Sequence, residues 1–391
     1  MPFSLGDRLG SCALLRIVVV LGLLAGFALS PKLWLSSRLY PLTPVWSFIQ
    51  PFASPGDAIV FFALIVLLIG VAAAPRRGLL AAAFALILLL TLQDQSRWQP
   101  WFYQYALMLL AIVLAGSSRQ DAAMNTCRLI VAATYLWSGL AKLNPQFMSD
   151  TLPWLLHPLL KSWPAPAQRF VLHLAFLAPL VEFATGAGLF TRRFRRAALM
   201  LAIAMHGFIL IVIGPLGSNF NTVVWPWNLA MIAFLLILYF RPARQPALRD
   251  IVWGRGFAFQ RIVLVLFAIM PIFSLFNLWD DYLSVALYSG NINSGVMYMD
   301  DDAFDRLPPA VAAFVTDEGK NLDGLDINDW SYGELNVPAY PESRIFRNVA
   351  RQVCSYTEDS ASLKLVVRGK FALGHRGRQS VYRCAGLQRG F

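Results

Sequence analysis

Long apolar segments fill the first 280 residues of the chain. A helix needs about 20 predominantly apolar residues to cross roughly 30 Å of hydrocarbon, and nine segments approach that length. They are residues 13–35, 57–75, 79–93, 101–116, 129–143, 171–190, 197–215, 223–240 and 262–280. This pattern predicts an all-α polytopic membrane bundle with about nine transmembrane helices.

The pattern changes in the remaining part of the chain. Residues 281–342 are rich in Asp, Asn and Gly and are predicted to be loop-like. Apolar residues with helical spacing predict a helix over Glu342–Val353. Two apolar runs follow, Leu363–Phe371 and Gln379–Tyr382, and they predict a β-hairpin. The C-terminal region is therefore expected to form a small α+β cap.

The composition excludes two common classes of protein. Hydrophobic residues make up 57% of the chain and charged residues only 14%, against a usual charged fraction of about 25%. An ordinary soluble domain is therefore excluded, and the net charge of +11 does not indicate binding to nucleic acid. Residues 1–280 hold 21 Lys and Arg against 8 Asp and Glu, whereas residues 281–391 hold 12 against 14. We therefore divide the chain after residue 280, into a transmembrane domain of residues 1–280 and a C-terminal domain of residues 281–391.

The distribution of positive charge predicts the orientation. With the N-terminus inside, fifteen Lys and Arg of the membrane part lie on the cytoplasmic side and six on the opposite side, as the positive-inside rule requires. The protein is then expected in a plasma membrane, the bacterial inner membrane, with the C-terminal domain periplasmic or extracellular. One alternative stays open: the first apolar segment could be a signal peptide ending at Ser30, although Pro31 argues against cleavage there.

The cysteines divide in the same way. Cys12 and Cys127 lie on the predicted inner side, where thiols stay reduced, whereas Cys354 and Cys384 both lie in the predicted outer domain. We predict that Cys354 and Cys384 form a disulfide. Two unpaired buried thiols are the alternative.

Among the few ionisable residues within or beside the apolar segments, we single out Lys142, Glu182 and His206. An ionisable side chain at membrane depth costs at least about 2.5–3.5 kcal/mol, so each is a candidate for function. Lys142 is either a lysine that snorkels to the interface or a desolvated general base. His206 is either a hydrogen-bonded core histidine or a proton carrier, and Glu182 is expected to pair with a cation or donor. The small residues Ser138 and Gly139 leave space at the helix surface one turn before Lys142, so that another helix or a ligand can come close.

Two segments on the predicted outer side combine aromatic and polar residues. Together with Tyr135 they suggest an aromatic-lined pocket for a flat amphipathic ligand such as a quinol. The predicted pocket residues are Asp94, Arg97, Trp98, Trp101, Tyr103, Tyr135, Asn219, Asn221, Trp225 and Asn228.

These residues resemble, in the same order, motifs of the horizontally transferred transmembrane domain (HTTM) family, which is related to the transmembrane part of vitamin K-dependent gamma-carboxylase. Asp94 to Tyr105 is similar to the family's Asp-x-x-x-Trp-x-x-x-x-Tyr-x-Tyr segment, and Ser138 to Leu143 looks like its small-Gly-x-x-Lys-Leu stretch. Glu182 precedes an Arg-rich turn and His206 lies in a later span, as in the family. The resemblance covers about residues 10–280.

The resemblance implies a quinol-dependent enzyme with epoxidation or carboxylation-type chemistry. Lys142 would be the base that deprotonates a reduced quinone of the menaquinol or vitamin K type, with Glu182 and His206 as further catalytic residues. Two departures count against carboxylation. Trp101 stands where the carboxylase has a histidine, and the C-terminal domain has no counterpart of the large lumenal region.

A non-catalytic function is the alternative. A DoxX-like membrane subunit, or an assembly or export partner, would act with a protein partner or substrate on the outer side. It would tolerate changes at Lys142 and His206. No metal site is predicted, because the four histidines lack paired ligand spacing.

Overall fold

The computed structural model describes residues 10–240, 246–254, 256–317, 323–357, 361–374 and 377–388. Eighteen α-helices lie within these ranges. They are α1 Ser11–Leu29, α2 Pro31–Trp34, α3 Gly56–Ala73, α4 Arg77–Gln93, α5 Pro100–Ala115, α6 Gln120–Ala141, α7 Leu152–Leu160, α8 Ala165–Ala175, α9 Ala178–Phe190, α10 Arg195–Ile213, α11 Val224–Leu235, α12 Leu248–Val252, α13 Ala258–Leu264, α14 Asp301–Asp305, α15 Pro309–Ala312, α16 Ile327–Leu335, α17 Ser343–Val353 and α18 Cys384–Gln388.

Membrane-spanning helices are present, but the predicted number of nine is not confirmed. Five helical segments in the described ranges are long and apolar enough to cross a bilayer, and a sixth span arises if α5 and α6 count as one broken span. The five are Ser11–Leu29, Gly56–Ala73, Ala165–Phe190, Arg195–Ile213 and Ala258–Phe276. Two further apolar helices, Arg77–Gln93 and Val224–Phe240, are shorter. The predicted cytoplasmic N-terminus falls in residues 1–9, outside the described ranges.

The largest bend in the apolar part separates α5 from α6. The two helices differ in direction by 102°, and Gly116 between them has φ +61°, a left-handed conformation that glycine adopts without strain. The sequence predicted two spans here, 101–116 and 129–143. The structure shows one bent pair, with α6 beginning at Gln120.

Close contacts divide the chain into two compact units. Unit 1 comprises residues 1–28, 65–83 and 100–291, and unit 2 comprises residues 29–64, 84–99 and 292–391. Unit 2 therefore includes apolar segments as well as the C-terminal region. The domain boundary at residue 280 stays a prediction.

Unit 2 contains an antiparallel sheet in the order β2-β3-β1-β4-β5. Its strands are β1 Ser294–Met299, β2 Val315–Asp317, β3 Asp323–Asp326, β4 Leu363–Arg368 and β5 Gln379–Arg383. The predicted hairpin is confirmed as β4 and β5, and the predicted helix as α17. The loop-like prediction for residues 281–342 is wrong, because this stretch supplies the central strand β1, whose Met297 and Met299 are buried.

The predicted disulfide is confirmed. Cys354 and Cys384 are joined, with their Cα atoms 5.5 Å apart, and the bond links the end of α17 to the start of α18. Cys12 and Cys127 are free and buried.

Candidate functional site

The candidate site of unit 1 depends on a close approach of α6 and α9. A Cβ atom on Gly139 of α6 would lie only 2.4 Å from the backbone nitrogen of Phe183, and one on Gly186 of α9 only 2.5 Å from that of Leu136. Small residues allow membrane helices to approach this closely. The thin surface at Gly139 is therefore covered by another helix, one of the two possibilities raised by the sequence.

One turn further along, an ion pair joins the same two helices. Lys142 directly follows the last residue of α6, and its Nζ donates to Glu182 Oε1 at 3.1 Å and Oε2 at 2.9 Å. The same ammonium donates to Ser138 Oγ at 2.5 Å. Both charged side chains are mostly buried, with 13% and 15% exposure. The pair thus satisfies Lys142 in its charged form.

A second polar group consists of three hydrogen-bonded side chains. Asn228 Nδ2 donates to the Val224 carbonyl oxygen at 2.7 Å, so Asn228 Oδ1 must accept from His206 Nδ1, 2.7 Å away. This fixes the proton of a neutral His206 on Nδ1, and Nε2 then accepts from the Tyr135 hydroxyl at 2.5 Å. The hydrogen bonds run in one direction, from Tyr135 through His206 to Asn228.

Both polar groups border one cavity of about 190 Å³. The rest of its wall is mostly apolar and includes Leu152, Leu156, Val212, Met231 and Leu287. A dry cavity of about 150 Å³ is known to hold a benzene molecule. The space therefore accommodates a single six-membered ring or a short apolar chain.

The segment after α6 closes one side of this cavity. Asn144 Nδ2 donates to the Ser289 carbonyl at 2.7 Å, and Asn144 Oδ1 accepts from the Phe147 backbone at 2.9 Å. Gly290, with φ +77°, lies so close that a Cβ atom would be 2.6 Å from the Phe147 nitrogen. Phe147 also lines the cavity, so its position is set by these backbone contacts.

The structure brings the three predicted catalytic residues together. Lys142, Glu182 and His206 all line the 190 Å³ cavity, although they are far apart in the sequence. Their catalytic roles stay predictions. Tyr135 and Asn228, two of the predicted pocket residues, line the same cavity.

The other predicted pocket residues of unit 1 lie elsewhere. Asn221 reaches the cavity wall only indirectly, by donating to the Tyr288 hydroxyl at 2.6 Å. Trp225 Nε1 donates to the carbonyls of Ile213 and Phe220. The remaining three are Trp101 packed over Gly26, Tyr103 stacked on Phe267 at 4.9 Å, and Asn219 in a turn with φ +48°.

Asp94, Arg97 and Trp98 belong to unit 2, where they form internal contacts. The fully buried Asp94 accepts from Arg38 Nη2 at 2.6 Å and from the Thr43 hydroxyl at 2.9 Å. Arg97, 2% exposed, donates to the carbonyls of Leu33, Leu90 and Trp34. Trp98 Nε1 donates to the Thr91 carbonyl.

Burial and the oppositely charged neighbours shift the pKa values of Asp94 and Arg97 in opposite directions. Burial alone would raise the pKa of Asp94, but the guanidinium groups of Arg38 and Arg97 bring it below its usual value. Burial lowers the pKa of Arg97 to about 10, and Asp94 opposes that change. The Asp94 carboxylate therefore stabilises both guanidinium groups and offsets the repulsion between them, and these residues form contacts within unit 2.

Sequence reasoning missed several residues of the cavity wall. Trp227 lines it, with its Nε1 donating to Gln104 Oε1 at 2.9 Å, and so do Phe147 and Tyr288. Tyr288 has φ +55°, and nothing in its local sequence indicates that its hydroxyl accepts from Asn221. Trp227 lies between the predicted pocket residues Trp225 and Asn228 in the sequence, and that position is the signal that could have included it.

The spans and the ion-paired, apolar cavity define a multi-pass helical membrane protein. Residues 120–223 match the family model of the methylamine utilisation protein MauE. No curated protein and no solved structure matches the chain.

The family match corrects the resemblance proposed from the sequence. The likeness to HTTM is wrong, since the match is to MauE and it covers the region of Lys142, Glu182 and His206. Single polar residues spaced along apolar helices are weak marks of a family, because many membrane bundles bury a few such groups for packing alone.

Proposed function

We propose that the protein is a non-catalytic membrane subunit that acts through a protein partner, as an accessory or assembly factor. The ion pair between Lys142 and Glu182 carries this proposal. A general base needs a free electron pair on the amine, whereas Lys142 donates to both carboxylate oxygens and to Ser138. Loss of its proton would leave the Glu182 carboxylate buried without its partner.

Burying two charged side chains is unfavourable because they lose contact with water, and the position of the pair offers a structural reason for it. It lies beside the contact of Gly139 with α9 and fixes the end of α6 to that helix. Removing one partner of a buried ion pair typically destabilises a protein by about 3–5 kcal/mol, whereas replacing both by apolar residues is often neutral.

The family match supports an accessory role. It covers the helices that carry the pair, and the family is named for methylamine utilisation. We therefore place the protein in that process, with an unidentified protein partner on the outer side. The disulfide between Cys354 and Cys384 favours an oxidising compartment for the C-terminal region, so the inner-membrane location and the outward orientation are part of the proposal.

A reduced quinone bound in the 190 Å³ cavity is a second candidate. The observation in its favour is that Lys142, Glu182 and His206 border a ring-sized apolar space. In this version the quinone is a bound ligand. A role of Lys142 as its base would require the amine to give up the Glu182 carboxylate first.

Complementation of a gene deletion tests the proposal. The deletion strain would receive wild type, Lys142→Met, Glu182→Leu or the double variant, with growth on methylamine as the readout and immunoblotting for the amount of protein in the membrane. The sequence alone suggested that a non-catalytic subunit would tolerate changes at Lys142, but the ion pair with Glu182 changes that expectation. Each single variant should impair growth because it leaves a buried charge unpaired, and the double variant should restore growth. Lys161→Met serves as the control, since Lys161 is exposed and does not line the cavity.

Two results would contradict the proposal. A catalytic base predicts that Lys142→Met and the double variant fail alike, although both are present at wild-type amounts. A deletion strain that grows normally on methylamine would remove the link to that process.

A further inference from the structure

A second, larger cavity of unit 1 has a charged wall. It measures about 730 Å³ and shares no lining residue with the first cavity. It lies at the first residues of α1 and α6, where Ser11, Cys12, residues 119–122, Met124 and Asn125 contribute to the wall. The described charged residues of the wall are three arginines and two aspartates, Arg119, Arg128, Arg249, Asp121 and Asp250.

Arg128 is the most unusual of these residues. It is only 6% exposed. Its Nε donates to the Leu238 carbonyl at 2.9 Å and its Nη1 to Asn125 Oδ1 at 2.6 Å. Within the described part of the chain, Nη2 has no hydrogen-bond partner and no carboxylate forms an ion pair with the guanidinium. Asp121 attracts the guanidinium from beyond ion-pair distance. A buried guanidinium with no carboxylate in contact is nevertheless unfavourable, so its charge favours an anion bound in the cavity.

The two aspartates of the wall do not form an ion pair with Arg128 among the described residues. Asp250 Oδ2 already accepts from the Ala247 backbone, and Asp121 forms no ion pair among the described residues. Arg119 and Arg249 are exposed and add two further cations. The arginines thus exceed the aspartates at one cavity.

We propose that this cavity binds the phosphate group of an anionic phospholipid. A planar guanidinium matches the oxygens of a phosphate group in a bidentate arrangement. Ligand pockets typically measure about 300–1,000 Å³, so a volume of 730 Å³ holds a headgroup. Basic pockets between membrane helices bind anionic headgroups, and this cavity lies at the ends of two candidate spanning helices. The inference is independent of the proposed function.

Native mass spectrometry of the purified, delipidated protein tests the proposal. The probes are phosphatidylglycerol, phosphatidylcholine with the same acyl chains, and inorganic phosphate. We expect phosphatidylglycerol to bind at least about tenfold more tightly than phosphatidylcholine, and Arg128→Gln to remove most of that preference. The double variant Arg119→Gln/Arg249→Gln leaves the hydrogen bonds of Arg128 intact, so it remains informative if Arg128→Gln fails to fold. It should weaken binding roughly twenty-five-fold, at about fivefold per arginine.

Arg196→Gln is the matched control, since Arg196 is exposed and does not line the cavity. It should bind phosphatidylglycerol as wild type does. Equal binding of both lipids, or losses as large in Arg196→Gln as in the cavity variants, would overturn the proposal. If inorganic phosphate binds in an Arg128-dependent manner and neither lipid is preferred, the site takes a soluble phosphate compound and the lipid is refuted.

Discussion

Gly139 sets the spacing of α6 and α9, and Gly139→Ala therefore tests the packing on which the candidate site depends. The added Cβ would lie 2.4 Å from Phe183 N and 2.8 Å from Pro179 O. Both are backbone atoms, so neither can rotate away. Ordinary contacts of carbon begin near 3.5 Å, so the helices must separate locally by about 1 Å. Overpacking of this kind destabilises by about 1–3 kcal/mol, against a gain of about 0.5–1 kcal/mol from alanine in a helix.

The same movement acts on the ion pair. The Lys142 ammonium lies 2.9 and 3.1 Å from the two oxygens of Glu182. A displacement of about 1 Å would take both distances beyond hydrogen-bonding range. The loss of stability should then exceed the packing term alone, and we expect roughly 2 kcal/mol or more.

Thermal unfolding in detergent, followed by tryptophan fluorescence, measures this loss. One kcal/mol corresponds to about 2–4 °C in Tm for a domain of 150–250 residues, so Gly139→Ala should lower Tm by several degrees. Gly207→Ala in α10 is the matched control, because a Cβ atom there meets nothing within 4 Å. Its Tm should equal or exceed that of wild type. Equal Tm values for the two variants would refute the close approach of the helices.

Three further outcomes are expected in unit 2. Asp94→Asn removes the carboxylate between two buried guanidinium groups and should cost about 3–5 kcal/mol, measured as a fall in Tm, whereas Asp305→Asn, at an exposed position, should change little. Because the pKa of Asp94 is held below its usual 3.8, its stabilisation is complete above about pH 4 and is lost as the pH falls through the lowered pKa. Wild type should therefore lose Tm more steeply than Asp94→Asn on acidification below pH 4; parallel curves would contradict this. Cys354→Ser/Cys384→Ser opens a loop with a sequence separation of 30 and should cost about 3.5 kcal/mol on the chain-entropy model. Dithiothreitol should lower the Tm of wild type but not of that variant.

Features that depend on a local pattern could be predicted from the sequence. Apolar length indicated α1 and α3 as spans, helical spacing indicated α17, and alternating short runs indicated the hairpin of β4 and β5. Strand β1 was missed because its surroundings are rich in Asp and Asn. Its identity as the central strand depends on pairing with β3 and β4, which lie downstream in the chain.

Partners of polar side chains could be predicted only in part. Lys142, Glu182 and His206 were singled out because ionisable groups in apolar helices need partners, and they do lie around one cavity. The segment from Asp94 to Tyr105 suggested a single pocket, yet it is divided near Pro100, where α5 begins. Two of the three carbonyls that accept from Arg97 lie more than 60 residues earlier in the chain, and no local pattern specifies such partners.

Lys142, Arg97 and Arg128, three of the cations with low exposure, differ in what neutralises them. That difference yields a test common to both proposals. Lys142 has Glu182, and Arg97 has Asp94 together with three carbonyls. Arg128 has no carboxylate within ion-pair distance in the described ranges, and the proposal assigns its neutralisation to a bound anionic lipid. Added phosphatidylglycerol should therefore raise the Tm of wild type and of Lys142→Met/Glu182→Leu equally, and should have little effect on Arg128→Gln. If the lipid instead stabilised Arg128→Gln as strongly as wild type, the cavity at Arg128 would not be its site, while the role of the Lys142 pair would stand unchanged.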